Sequence, residues 1–130
     1  MTPILFINCS KHPFVQEIMN RQKLFETRTR QTLRALVGQT VMIAETGKGK
    51  PVVRCTANVA GVVEIRTLAD FEKYRDQVCI PSGSDFDWKD TTNVKYLYKL
   101  ENVAKVDPFV PAEGIRHGRV WMEYNGKHGE

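Results

Sequence analysis

Asn20 to Arg34 reads NRQKLFETRTRQTLR, and the rest of the chain is organised around it. From Arg21 to Arg34 there are five basic residues (Arg21, Lys23, Arg28, Arg30, Arg34) and one acid, Glu26, so this segment's net charge of +4 equals that of the whole chain. A basic excess confined to one segment is the pattern of an anion-binding face, and the usual anions for a soluble domain are nucleic-acid phosphates. Lys23 to Thr29 alternates Phe25, Thr27 and Thr29 against Leu24, Glu26 and Arg28. That period predicts a strand with Glu26 and Arg28 on one face. Lys23-x-x-Glu26-x-Arg28 sets a lone carboxylate among cations, an arrangement suited to base recognition or acid–base chemistry as well as to charge attraction.

Upstream, Pro3 to Asn8 (PILFIN) is a short apolar run that reads as a buried strand. Pro13 suits the first position of a helix, and Phe14, Val15, Ile18 and Met19 give that helix an apolar stripe running to about Asn20. Downstream, Thr32 to Gly38 predicts one helical turn ending at glycine, and Thr40 to Glu45 a strand. The loop Gly47-Lys48-Gly49-Lys50-Pro51 lacks phosphate-loop spacing and leads into a strand, so it reads as a basic hairpin loop able to touch a nucleic-acid backbone. Val52 to Asn58 and Val62 to Arg66 form one long strand, with a bulge or bend at Ala60-Gly61. A second helix is capped by Thr67 with Asp70, buries Leu68, Phe71, Tyr74 or Arg75, and Val78, and stops at Pro81.

Ser82 to Thr92 is polar and acidic, an exposed loop carrying Trp88, which either packs back on its own domain or offers a stacking surface. From Val94 to Val106 the alternation predicts a half-buried strand with Lys95, Leu97, Lys99 and Glu101 on its polar side. Pro108, Pro111 and Gly114 impose an extended passage, Arg119 to Tyr124 is the last strand, and a polar tail begins at about Asn125. The sum is α+β: one domain over residues 1–130, a small mixed β-barrel of about six strands with two flanking helices.

A pI near 9.1 favours an acidic partner. Cys9, Cys55 and Cys79 are odd in number and widely spaced, which reads as reduced core thiols in a cytoplasmic protein. Cys9 and His12 have a ligand-like gap but no second pair with zinc spacing, so no metal is expected, and nothing calls for a cofactor. The apolar run at the start is too short for a signal peptide, and no stretch approaches the eighteen apolar residues of a membrane span.

With these residues laid out, the sequence resembles an ASCH domain of the PUA-like superfamily. The family's G-x-K-x-x-E-x-R box is matched by Arg21-Gln22-Lys23-Leu24-Phe25-Glu26-Thr27-Arg28. Its closing strands are matched by Leu100-Glu101-Asn102-Val103, Pro108-Phe109-Val110, Gly114, Gly118 and Val120-Trp121. Arg21 stands where the box opens with glycine, so the turn after the first helix has to be made without one. The resemblance implies a PUA-like pseudo-barrel with the box residues lining its cleft, and RNA or a nucleotide-like ligand as partner. Some ASCH-like proteins are amidohydrolases of acetylated cytidine that use a lysine, a threonine and a glutamate. Lys23 matches that lysine, but Glu26 stands at the threonine's position, so the triad is not carried over.

Two functions share these residues. As a binder of single-stranded RNA or a nucleotide, the chain uses Lys23, Arg28 and Arg30 on phosphates and Glu26 on a base amino group or to orient Arg28. As a small hydrolase of a modified nucleoside or of RNA, it uses Glu26 as general base and Lys23 to stabilise developing negative charge. Without a ligand, Glu26 and Arg28 simply pair with each other and with the flanking arginines.

Overall fold

PILFIN becomes the strand that is buried on both faces. The computed structural model describes residues 2–111 and 120–124, and in it β1 (Thr2–Asn8) sends Ile4 and Phe6 to one face and Leu5 and Ile7 to the other, all four buried. A strand flanked by others on both edges and covered on both faces reads as a continuous apolar run, which is why this one does not alternate.

The chain continues through α1 (Phe14–Met19), β2 (Phe25–Arg28), a 3₁₀ turn (Arg34–Leu36), β3 (Thr40–Thr46), β4 (Val52–Ile65), α2 (Leu68–Glu72), α3 (Arg75–Val78), β5 (Lys95–Phe109) and β6 (Trp121–Tyr124). The six strands form one mixed sheet in the order β2-β5-β4-β3-β1-β6. β1 pairs with β3 in parallel, and the four other pairings are antiparallel. The long β4–β5 ladder slips its register three times, between Val53 and Cys55, Thr56 and Asn58, and Val59 and Gly61. The last slip falls on the expected Ala60-Gly61 bend. Such bulges bend and overtwist a pair, and here they coil the sheet around its larger core, with α1, α2 and α3 packed on it.

The expected barrel is not closed by a hydrogen-bonded ladder among the described residues, since β2 and β6 remain the two ends of the sheet. Side chains bridge the gap instead. Arg28 Nη2 donates to Phe6 O of β1 at 3.2 Å, just past Leu5 where β6 stops pairing, and Trp121 Nε1 donates to Thr32 O at 3.1 Å. Among the described residues the four residues of β2 form a ladder with β5 and none with β1.

The second expected helix is two. Thr67 Oγ1 accepts from Asp70 N as anticipated, but the chain turns at Lys73–Tyr74 and restarts as α3. Leu68 is 49% exposed; Phe71 and Val78 carry the burial. At the turn Tyr74 meets Phe25 edge-on at 5.4 Å, and Arg75 swings towards the following loop. The half-buried strand from Val94 is buried on both faces over its first four residues, Lys95 to Tyr98. Of the closing pattern, Gly114, Gly118, Arg119 and the tail from Asn125 lie outside the described residues.

Candidate functional site

After α1 the chain must reverse to enter β2, and Arg21 makes that reversal in the left-handed region at φ 63°. This is the box position at which glycine was missing. The turn is held by Arg21 N donating to Ile18 O and by Gln22 N and Lys23 N both donating to Glu17 O, while the Arg21 guanidinium reaches Val103 O at 3.3 Å. Bonds of this kind satisfy carbonyls that a helix end leaves open. Residues 23 and 24 then dock on the end of α3, where Leu24 N donates to Gln77 O at 2.7 Å and Lys23 Nζ to Val78 O at 2.5 Å. A cation on the last carbonyls of a helix meets its partial negative charge.

Lys23 is thereby buried, with 2% of its surface exposed. Its ammonium lies 4.6 Å from the centroid of the Phe14 ring and 3.8 Å from Glu26 Oε1. Glu26, 6% exposed, accepts from Arg28 Nη2 through Oε2 at 2.7 Å. The strand period therefore does put Glu26 and Arg28 on one face, and the preceding turn carries Lys23 back to them. Burial pushes the Lys23 ammonium below its ordinary value, and the Glu26 carboxylate opposes this only in part. The Arg28 side chain is 22% exposed. Its Nε and the neighbouring Thr27 Oγ1 are buried without a hydrogen-bond partner among the described residues.

These three side chains line one open cleft of about 290 Å³, together with Ile7, Asn8, Phe14, Thr27, Thr29, Ile80, Asp85, Phe86 and Lys95. Arg30 is not on it. It stands exposed in an adjoining groove with Lys89, Asp87 and the 91–94 stretch.

Two contributors lie outside the sequence reading. Lys95, placed there on a polar face, is 4% exposed, donates from Nζ to Phe86 O at 2.5 Å and sits 5.3 Å from the Phe71 ring centroid. Burial lowers its ammonium too, against the pull of Asp87. The signal was Leu97, the apolar exception on the same face, which marks that end of β5 as covered on both sides. The other contributor is the 82–92 loop, whose Asp85 and Phe86 form a cleft wall.

That loop is pinned by Asp87. Its carboxylate accepts from Arg75 Nη1 at 2.6 Å, from Gly83 N at 2.7 Å and from Trp88 N at 2.7 Å. Burial alone would raise this carboxyl, but these donors hold it below the ordinary value. Trp88 turns inward onto Phe71, with ring centroids 5.8 Å apart, so the aromatic that reaches the cleft from the loop is Phe86, edge-on to Phe14 at 5.1 Å.

The cleft lining holds neither His12 nor any of the three cysteines. His12 Nε2 lies 2.8 Å from Glu17 Oε1. Cys9, Cys55 and Cys79 are free thiols, and burial pushes Cys55 up to about 11. No helix among the described residues is long and apolar enough to cross a membrane.

No family model and no curated protein matches this sequence. Solved structures do. The ASCH protein of Zymomonas mobilis superposes with a TM-score of 0.65 at 15% identity, over 82% of this chain and 71% of its own. Two variants of that protein, one serine-to-alanine and one tyrosine-to-phenylalanine, reach 0.68 at 18% identity, over 84% of this chain and 73% and 75% of theirs. At that identity the likeness speaks for architecture, and the α+β sheet with its flanking helices is the fold of the ASCH proteins.

Proposed function

We propose that the chain is an ASCH-family protein that binds RNA or a nucleotide-like ligand, with the cleft above Glu26 receiving one nucleoside-sized unit. The observation that carries this reading is the convergence of Lys23, Glu26, Arg28 and Lys95 on one solvent-open cleft. Burying charge costs several kcal/mol per ion before partners offset it, and a fold has cheaper ways to fill a core. Charges gathered at the floor of an open cleft are therefore a mark of use. The cleft's volume of about 290 Å³ sits at the lower end of the roughly 300–1,000 Å³ of small-molecule sites, which suits one base and its sugar better than a stack of bases.

In this reading Glu26 accepts a base amino group, Arg28 orients Glu26 and faces the ligand, and Phe14 and Phe86 offer apolar ring surface. Lys23, buried against Val78 O, fixes Glu26 in place of meeting a phosphate in solvent. Single-stranded RNA is preferred to duplex DNA, because a duplex hides the bases. Binding weakens steeply with salt where exposed cations displace counterions.

One observation favours a second reading, a hydrolase of a modified nucleoside or of RNA. An ammonium lowered by burial 3.8 Å from a buried carboxylate is the kind of pair that acid–base catalysis uses.

A titration of nucleosides, short single-stranded RNAs and duplex DNA, followed for binding and for product, tests both. Single-stranded binding without product supports the binder. Product that falls by about 10² or more in Glu26→Gln, with affinity little changed, makes the chain an enzyme. Equal affinity for duplex DNA, or no binding at all, removes the nucleic-acid reading.

A further inference from the structure

We propose that the groove adjoining the cleft is a phosphate subsite, so that the ligand carries a phosphodiester or phosphoester next to the nucleoside held in the cleft. The proposal rests on the nucleoside reading of the cleft and specifies what must be attached to it. The groove, about 370 Å³, is lined by Arg30, Asp85, Asp87, Lys89 and Lys95 among others, and it meets the cleft along three shared residues, Thr29, Asp85 and Lys95. A group leaving the cleft on this side enters the groove past the buried ammonium of Lys95.

Charge decides what that group is. The groove's two acids are answered from outside it: Lys11 Nζ pairs with Asp85 Oδ2, and Arg75 Nη1 pairs with Asp87 Oδ1 at 2.6 Å. Of its cations, Lys95 is buried against Phe86 O, and the other two are not answered. Arg30 and Lys89 are exposed, and neither side chain has a hydrogen-bond or ion-pair partner among the described residues. Two exposed, unpaired cations thus face the groove while both carboxylates are paired, leaving an anion as the complementary ligand. Thr91, Thr92 and Asn93 complete the wall with uncharged polar groups. Phosphate esters suit such a setting because guanidinium and ammonium donors make charge-assisted bonds to their oxygens. The cleft itself carries Glu26 at its floor and is a poor place for a phosphate, so base and phosphate are sorted into two compartments.

The test uses the full chain and isothermal titration with the four ribonucleosides, their 5′- and 3′-monophosphates, and inorganic phosphate. At least one monophosphate should bind about tenfold or more tighter than its nucleoside, as expected for charge-assisted contacts. The Arg30→Ala/Lys89→Ala double variant should bring that ratio close to one, with an unchanged urea midpoint showing that the fold is intact. Nucleosides that bind as tightly as their monophosphates overturn the subsite while leaving the cleft reading in place. Monophosphates that bind through Arg30 and Lys89 while nucleosides do not bind keep the subsite and remove the cleft reading. Inorganic phosphate that competes as well as the monophosphates reduces the groove to a free-anion site and overturns the proposal.

Discussion

On the floor of the cleft, Lys23 and Lys95 are buried, and each gives its ammonium to a backbone carbonyl, Val78 O in one case and Phe86 O in the other. On its outer side, Arg30 and Lys89 stand in water without side-chain partners among the described residues. The same kind of residue, a few positions apart in sequence, does two different jobs. The floor cations are part of the fold: they tie α3 and the 82–92 loop to the sheet and hold Glu26 between Lys23 and Arg28. The outer cations hold nothing together, so whatever they contribute must come through a ligand. A count of charges in the Asn20–Arg34 segment merges the two groups, and only burial separates them.

Removing the counter-charge on the floor is the strongest way to test that contrast. Glu26→Ala leaves Lys23 and Arg28 facing each other in a partly desolvated site, and breaking a buried pair in this way costs about 3–5 kcal/mol. Arg30→Ala should stay within about 0.5 kcal/mol, as exposed substitutions do. Urea denaturation of both variants gives the comparison directly, and equal losses would erase the distinction between floor and rim.

The 82–92 loop contains the same division in its aromatics. Trp88 packs on Phe71 and Phe86 lines the cleft. Trp88→Ala should therefore lower stability by roughly 2–4 kcal/mol through the lost packing, and it should change nucleoside affinity no more than the fold's weakening explains. Phe86→Ala should do the reverse, losing affinity with a smaller change in urea midpoint. An affinity loss confined to Trp88→Ala would move the stacking role from Phe86 to Trp88.

Much of this was legible because it is local. The burial of PILFIN, the Thr67 cap, the bend at Ala60-Gly61 and the shared face of Glu26 and Arg28 follow from runs, caps and periods that a few neighbouring residues determine. The remainder depends on partners distant in sequence. Lys95 looked polar because its cover, Phe86 and Phe71, comes from elements whose packing no period encodes. The 82–92 loop reads as exposed because it is rich in Asp and Ser, which leaves Trp88 open to packing back or to stacking; Asp87 binds Arg75 and Trp88 takes the first course, onto Phe71. Closure is not legible for a similar reason: strand number suggests a barrel, but whether the two end strands meet by a ladder or by side chains such as Arg28 depends on contacts distant in sequence.

Titration offers a subtler probe of the floor. Burial lowers Lys95 in the folded chain, so between that lowered value and the ordinary lysine value near 10.5 the unfolded state binds more protons than the folded state. The burial penalty is present in full below the lowered value and is relieved as pH rises through this window. Relative to Lys95→Met, which has no ammonium to lose, the unaltered protein should gain stability between neutral pH and about pH 10. The thiols titrate in both proteins and cancel in the difference. A difference in urea midpoint that stays flat with pH would place Lys95 in water.

The smallest expected effect concerns the turn that delivers Lys23 to the floor. Arg21 adopts φ 63° with a Cβ that crowds the following carbonyl, a conformation costing roughly 1–2 kcal/mol for an ordinary residue and almost nothing for glycine. Two terms oppose replacement: glycine adds about 0.4–1 kcal/mol of unfolded-state entropy, and the exposed 3.3 Å bond from Arg21 to Val103 O is lost. Arg21→Gly should therefore stabilise the chain by a few tenths of a kcal/mol, up to about 1. Because Lys23 is held independently by Glu17 O and Val78 O, its position should not change, and neither should ligand affinity. A marked loss of affinity in Arg21→Gly, with stability unchanged or raised, would show that the guanidinium itself reaches the ligand and belongs with the outer cations.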